Sequence, residues 1–134
     1  MNNWRGAGTG LAIVGLVDSL YLLAEYLSAR VTLYCPTVGI VNCAAVTSSE
    51  YSRFLGIPVA LLGTLWFIAM LLLLGINSQS LSIVLFPLWV VGVIFAGYLI
   101  FAELFLLHAV CPYCTLAHLT GLLLGVPVTK LVLA

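Results

Sequence analysis

IPVALLGTLWFIAMLLLLGI, residues 57–76, runs without a single charged side chain. A hydrocarbon core about 30 Å thick takes about 20 mostly apolar residues of helix, so this stretch reads as one membrane crossing. Pro58 falls in its first turn, where a missing backbone N–H costs little. Outward from it, the polar run Asn77-Ser78-Gln79-Ser80 is a tight turn, followed by a third apolar stretch over about 81–107 with Pro87 near its start and Glu103 near its end. His108 to Pro112 marks the next turn, and a fourth stretch covers about 113–130 with a bend expected at Pro127. Upstream, the first span covers about 11–28 and is the least apolar, carrying Asp18 and Glu25. Only residues 29–56 break the pattern at length, with Arg30, Cys35-Pro36, Gly39, Asn42-Cys43, Glu50 and Arg53. The expectation is an all-α membrane protein: one domain over 1–134, an antiparallel bundle of four transmembrane helices with a cysteine-bearing extracytoplasmic loop after the first.

Composition agrees. Of 134 residues 64% are hydrophobic and 6% charged, with net charge zero and mean hydropathy +1.29, against about 25% charged in soluble domains. An ordinary soluble globule is excluded, and without a basic run so are a nucleic-acid binder and a polybasic lipid-surface protein. The apolar stretch from Gly10 to about Ser28 is too long for the core of a cleavable signal, and three more follow.

Counting helices puts the loop after span one and the turn between spans three and four on the same membrane side. Cys35, Cys43, Cys111 and Cys114 therefore gather at one face whatever the orientation. The positive-inside count is balanced, Arg5 and Lys130 against Arg30 and Arg53, so the face is placed outside the cell membrane on chemical grounds: disulfides persist in oxidising compartments.

Cys111-Pro112-Tyr113-Cys114 opens a helix. Two thiols three apart on a first turn can close a small disulfide, and a helix N-terminus favours the reactive thiolate. Cys35 and Cys43 form a second pair within reach, so the two pairs make a relay in which an external thiol protein exchanges with the loop and the loop exchanges with the helix. With no flavin motif, the electrons point to a lipid-soluble acceptor, a quinone. Cys111, Cys114 and His118 share a helix face, where His118 either hydrogen-bonds a quinone carbonyl or only packs. Two static disulfides fit the same cysteines. A structural zinc fits poorly, because the spacing of Cys35 and Cys43 is unsuited to it, and no metal is expected. Asp18, Tyr21 and Glu25 form an inward stripe. Intramembrane acids are expensive, which leaves a small proton-coupled transporter as the alternative.

These residues resemble the vitamin K epoxide reductase (VKOR) family, in particular its prokaryotic disulfide-forming members. The carriers are Ser19-Leu20-Tyr21, Cys35, Val41-Asn42-Cys43-Ala44-Ala45-Val46, Ser48-Ser49, Tyr51-Ser52-Arg53-Phe54-Leu55-Gly56-Ile57-Pro58 and the Cys-x-x-Cys at the start of the last helix. They extend over about residues 10–125. The resemblance implies a four-helix bundle around a menaquinone, ubiquinone or vitamin K-like quinone. It implies that Cys114 meets the quinone, that Cys111 is its partner, that Cys43 exchanges with Cys111, and that Cys35 exchanges with the partner protein. Ser49 matches the family's loop serine, Glu103 falls where the quinone pocket is lined, and His118 stands where animal members carry a quinone-contacting Tyr. That departure favours plain quinone reduction over epoxide chemistry. Many bacterial relatives carry a fused thioredoxin-like domain; here a separate thioredoxin-like thiol protein is the expected partner.

Overall fold

The computed structural model describes residues 2–28, 53–54, 56–76, 79–108 and 112–133. Helix α1 spans Asn2–Ser28, a two-residue ladder joins β1 (Arg53–Phe54) to β2 (Ile57–Pro58), and α2 spans Val59–Gly75. Helix α3 spans Gln79–Phe101 and passes into a π-helical stretch, Ala102–Leu107; α4 spans Pro112–Leu123 and α5 spans Gly125–Leu133. Three stretches are long and apolar enough to cross a membrane, Asn3–Ala24, Ile83–Leu106 and Pro112–Val132. At 1.5 Å per residue, the 17 residues of α2 reach about 26 Å, near the lower limit for a crossing.

Several boundaries differ from those read from the sequence. The first helix begins at Asn2 rather than near residue 11, because the Asn, Gly and Thr residues that dilute its hydropathy do not stop it. Arg5, inside that added stretch, donates from Nη1 to the carbonyls of Leu74 and Ile76, satisfying acceptors that the end of α2 leaves open. Pro58 is the N-cap of α2, with φ −58° and ψ 132°, rather than a first-turn residue. It sits in the ladder, antiparallel and pairing Arg53 with Pro58 and Phe54 with Ile57. Gly56, at φ +84°, supplies the left-handed residue the turn between these strands requires. The last helix is interrupted at Leu124, because Pro127 has no N–H to give the carbonyl of Leu123. The chain continues across that break, with Leu124 N–H bonded to the Thr120 carbonyl and Val128 N–H to that of Leu124.

Lipid tails are as apolar as leucine, so helices in a membrane are held by close packing and interhelical hydrogen bonds. Both are present. A Cβ at Gly15 would overlap the ring of Phe67, one at Gly92 would lie 2.5 Å from the Trp66 indole, and one at Gly125 would overlap Trp89. Each glycine thus receives an aromatic ring from a neighbouring helix. The two indoles then donate across helices, Trp66 to the Leu88 carbonyl and Trp89 to the Gly121 carbonyl, both at 2.9 Å. Gly8 meets Leu74, Gly15 meets Phe67 and Gly63 meets Ser19, so α1 and α2 run in opposite directions. Outward-facing Val17, Leu72, Ile83, Val91, Ile94 and Phe105 are 61–68% exposed, as suits a surface solvated by hydrocarbon rather than water.

The dry core lies toward one end, built from Ala12, Phe67, Met70, Leu74, Leu85, Leu124, Val128 and Leu131. Trp4 sits at that end with Lys130 5.8 Å from its ring centroid, near Arg5. Replacing Arg5 by Met removes the cap on α2 and lowers stability by about 1 kcal/mol. Lys at this position recovers part of the loss, a ranking read from thermal unfolding midpoints in detergent.

Candidate functional site at the start of the last long helix

At the other end, α4 opens with Pro112, whose fixed φ suits a first helical position. Cys114 follows in the first turn and is half-buried. Backbone N–H groups of a first turn have no intrahelical acceptor. His118 stands one turn further on the same helix, and its Nδ1 is buried with no hydrogen-bond partner. The ring of Tyr113 meets that of Tyr21 on α1, with centroids 5.4 Å apart. Since Gly8, near the other end of α1, meets Pro127 of α5, α1 runs opposite to the stretch formed by α4 and α5.

Between this end and the dry core lies a layer of buried polar side chains: Asp18, Ser19, Thr64 and Thr120. The Thr64 hydroxyl donates to the Ala60 carbonyl at 2.8 Å, and that of Thr120 lies 2.9 Å from the Ala117 carbonyl and 3.0 Å from that of Leu116. Asp18 is 7% exposed and its Oδ2 has no partner.

Glu103 is buried at 5% exposure in the π-helical stretch. Its carbonyl accepts the backbone N–H of His108, which adopts a left-handed conformation at φ 51°. The wider π turn ends α3 just before the Cys-x-x-Cys, and such turns often accompany functional sites. His108 is exposed, in keeping with a residue at a membrane edge. On the outer side of α3, Val91, Ile94, Phe95 and Tyr98 line a shallow apolar groove.

Of the residues singled out by sequence, Cys114, His118 and Glu103 are described here, while Cys35, Cys43, Ser49 and Cys111 lie outside the described residues. Asp18 and Tyr21 occupy the inward stripe as expected; the side chain of Glu25 lies outside the description. Among the described residues, no three His, Cys, Asp or Glu side chains come together to hold a metal. Sequence reading assigned no role to Tyr113, Thr64 or Thr120. Only the pairing of α1 with α4 brings Tyr113 to Tyr21, and no spacing within either helix signals it.

The model of the vitamin K epoxide reductase family matches residues 7–129, nearly the whole chain. The chain belongs to the vitamin K epoxide reductase family. The VKOR assignment makes it a membrane oxidoreductase, consistent with its long apolar helices and the thiol held on the first turn of α4.

Proposed function

We propose that this VKOR-family chain is a quinone-dependent thiol oxidoreductase that supports disulfide bond formation. Its four transmembrane helices form an antiparallel bundle with all four cysteines on the extracytoplasmic side. A reduced thioredoxin-like protein exchanges with the loop pair Cys35 and Cys43, and that pair exchanges with Cys111 and Cys114. Cys114 then passes two electrons to a quinone, with Ser49, Glu103 and His118 lining the quinone site. Each exchange is attack of a thiolate on a disulfide, so oxidation of the partner and reduction of the relay balance at two electrons per turn.

The observation carrying this reading is the placement of Cys114: on a helix first turn, half-buried, one turn from an imidazole nitrogen without a partner, at the polar end of an apolar bundle. A thiolate formed there is both nucleophile and good leaving group, and a lipid-soluble oxidant reaches it without crossing water.

Mapping disulfides by mass spectrometry in Cys→Ser variants tests the relay. In Cys35→Ser the mixed disulfide is expected to accumulate between Cys43 and Cys111, because Cys35, the sulfur that resolves it by closing the loop pair, is gone. Separate loop and helix disulfides that stay unchanged through turnover would sink the relay.

A further inference from the structure

A second site stands at the end of the molecule away from Cys114. We propose that Arg5, Lys130 and Trp4 hold the headgroup of a phospholipid of net negative charge, with an acyl chain along Val126, Leu123 and Leu119. This site is independent of the thiol chemistry proposed above.

Arg5 is half-buried and reaches the carbonyls of Leu74 and Ile76 through Nη1 alone. A guanidinium carries five N–H donors in a flat fork. Among the described residues nothing bonds the other edge of the fork, Nε and Nη2. That edge matches two oxygens of one phosphate. Anchoring Nη1 on the end of α2 also restrains the group, so little side-chain freedom is left to lose when an anion binds.

The second cation comes from another helix. Lys130, in the last turn of α5, places Nζ 5.8 Å from the ring centroid of Trp4, the residue before Arg5. Gly8, one turn along α1, meets both Leu74 and Pro127, so the end of α2 and the start of α5 converge on the same turns of α1. Trp4 and Lys130 are both exposed, and an indole beside an ammonium suits the headgroup level of a membrane. No acid offsets the two cations. The four acidic residues of the chain are Asp18, Glu25, Glu50 and Glu103, and Asp18 lies about 20 Å of helix from Arg5.

Lys130 also heads an apolar track. Val126, Leu123 and Leu119 precede it at intervals of four, three and four residues, which is one side of a helix, and each is about half exposed. Any phospholipid offers a chain for such a track, so the headgroup decides the occupant. A zwitterionic headgroup carries a cation of its own, which two basic side chains repel. A headgroup of net negative charge satisfies both of them.

The test is native mass spectrometry of the protein in a neutral detergent, titrated with phosphatidylglycerol or with phosphatidylcholine of the same chains. Each Lys or Arg at the surface favours an anionic lipid about fivefold, so wild type is expected to prefer phosphatidylglycerol about 25-fold. Lys130→Gln lowers that preference about fivefold, and Arg5→Gln does the same. Arg53→Gln, in β1 beside the opposite end of α2, removes an equal charge and leaves the preference unchanged. Lys130 is exposed, so its variant decides the matter if Arg5→Gln folds poorly. Millimolar inorganic phosphate leaves the lipid bound. Affinities for the two lipids within about twofold in wild type overturn the proposal, as does a Lys130→Gln preference equal to that of wild type. An equal loss in Arg53→Gln assigns the effect to net charge, and displacement by phosphate assigns the site to a free anion; either overturns the proposal too.

Discussion

Cys114→Ala is expected to lose quinone reduction by a dithiol almost completely, by a factor on the order of 10³ or more. In the proposed relay the electron pair leaves the protein from one sulfur, and alanine offers none. Cys114→Ser is expected to fail equally, since a hydroxyl fills the same space on the first turn of α4 but neither forms a disulfide nor ionises near neutral pH. Loss of the fold does not account for either result: the side chain is only half-buried, so thermal unfolding in detergent is expected to move by less than about 1 kcal/mol. Consumption of quinone, followed by its ultraviolet absorbance, is the deciding measurement. Near wild-type turnover in Cys114→Ala would place the electron exit elsewhere.

The largest effect on stability is expected where α1 meets α2. Gly15→Ala drives a methyl group into the ring of Phe67. That ring is 3% exposed and stands edge-on against Trp66, with centroids 4.9 Å apart, so it has no room to swing aside. Overpacking of this kind costs about 1–3 kcal/mol, and Phe67→Ala, which opens a cavity, costs about 3–5 kcal/mol. In the double variant the new methyl occupies part of the space the ring vacated. The two losses are therefore expected to fall short of additivity by about 0.5–3 kcal/mol. Unfolding midpoints of the four proteins give that coupling directly; strict additivity would mean that the two residues do not touch.

The fold was readable where one property governs it. The charge-free run of residues 57–76 marks a buried or membrane helix on hydropathy alone, and Asp18 and Tyr21 lie on the expected stripe because α-helical periodicity is local. The long start of α1 was not readable, since Arg5 gains its acceptors only when the end of α2 arrives beside it. The π-helical stretch was hidden for a related reason. Ala102–Leu107 is apolar apart from Glu103 and suits an α-helix equally well by composition. Nor does sequence say which glycine receives which aromatic ring, because Gly92 and Trp66, or Gly125 and Trp89, meet only through the packing of whole helices. At the candidate site, cysteine spacing marked Cys114, and helical spacing placed His118 on its face. The meeting of Tyr21 and Tyr113 is a property of two helices together.

The dry end of the bundle has a bearing on cellular energetics. Beyond Thr120, toward Arg5 and Lys130, the buried side chains among the described residues are those of Ala12, Phe67, Met70, Leu74, Leu85, Leu124, Pro127, Val128 and Leu131. None of them can hand on a proton. Among the described residues, no buried side chain that carries a proton thus lies between the depth of Asp18 and that end. If the proposed thiol oxidation is its activity, turnover is expected to neither draw on the membrane potential nor dissipate it.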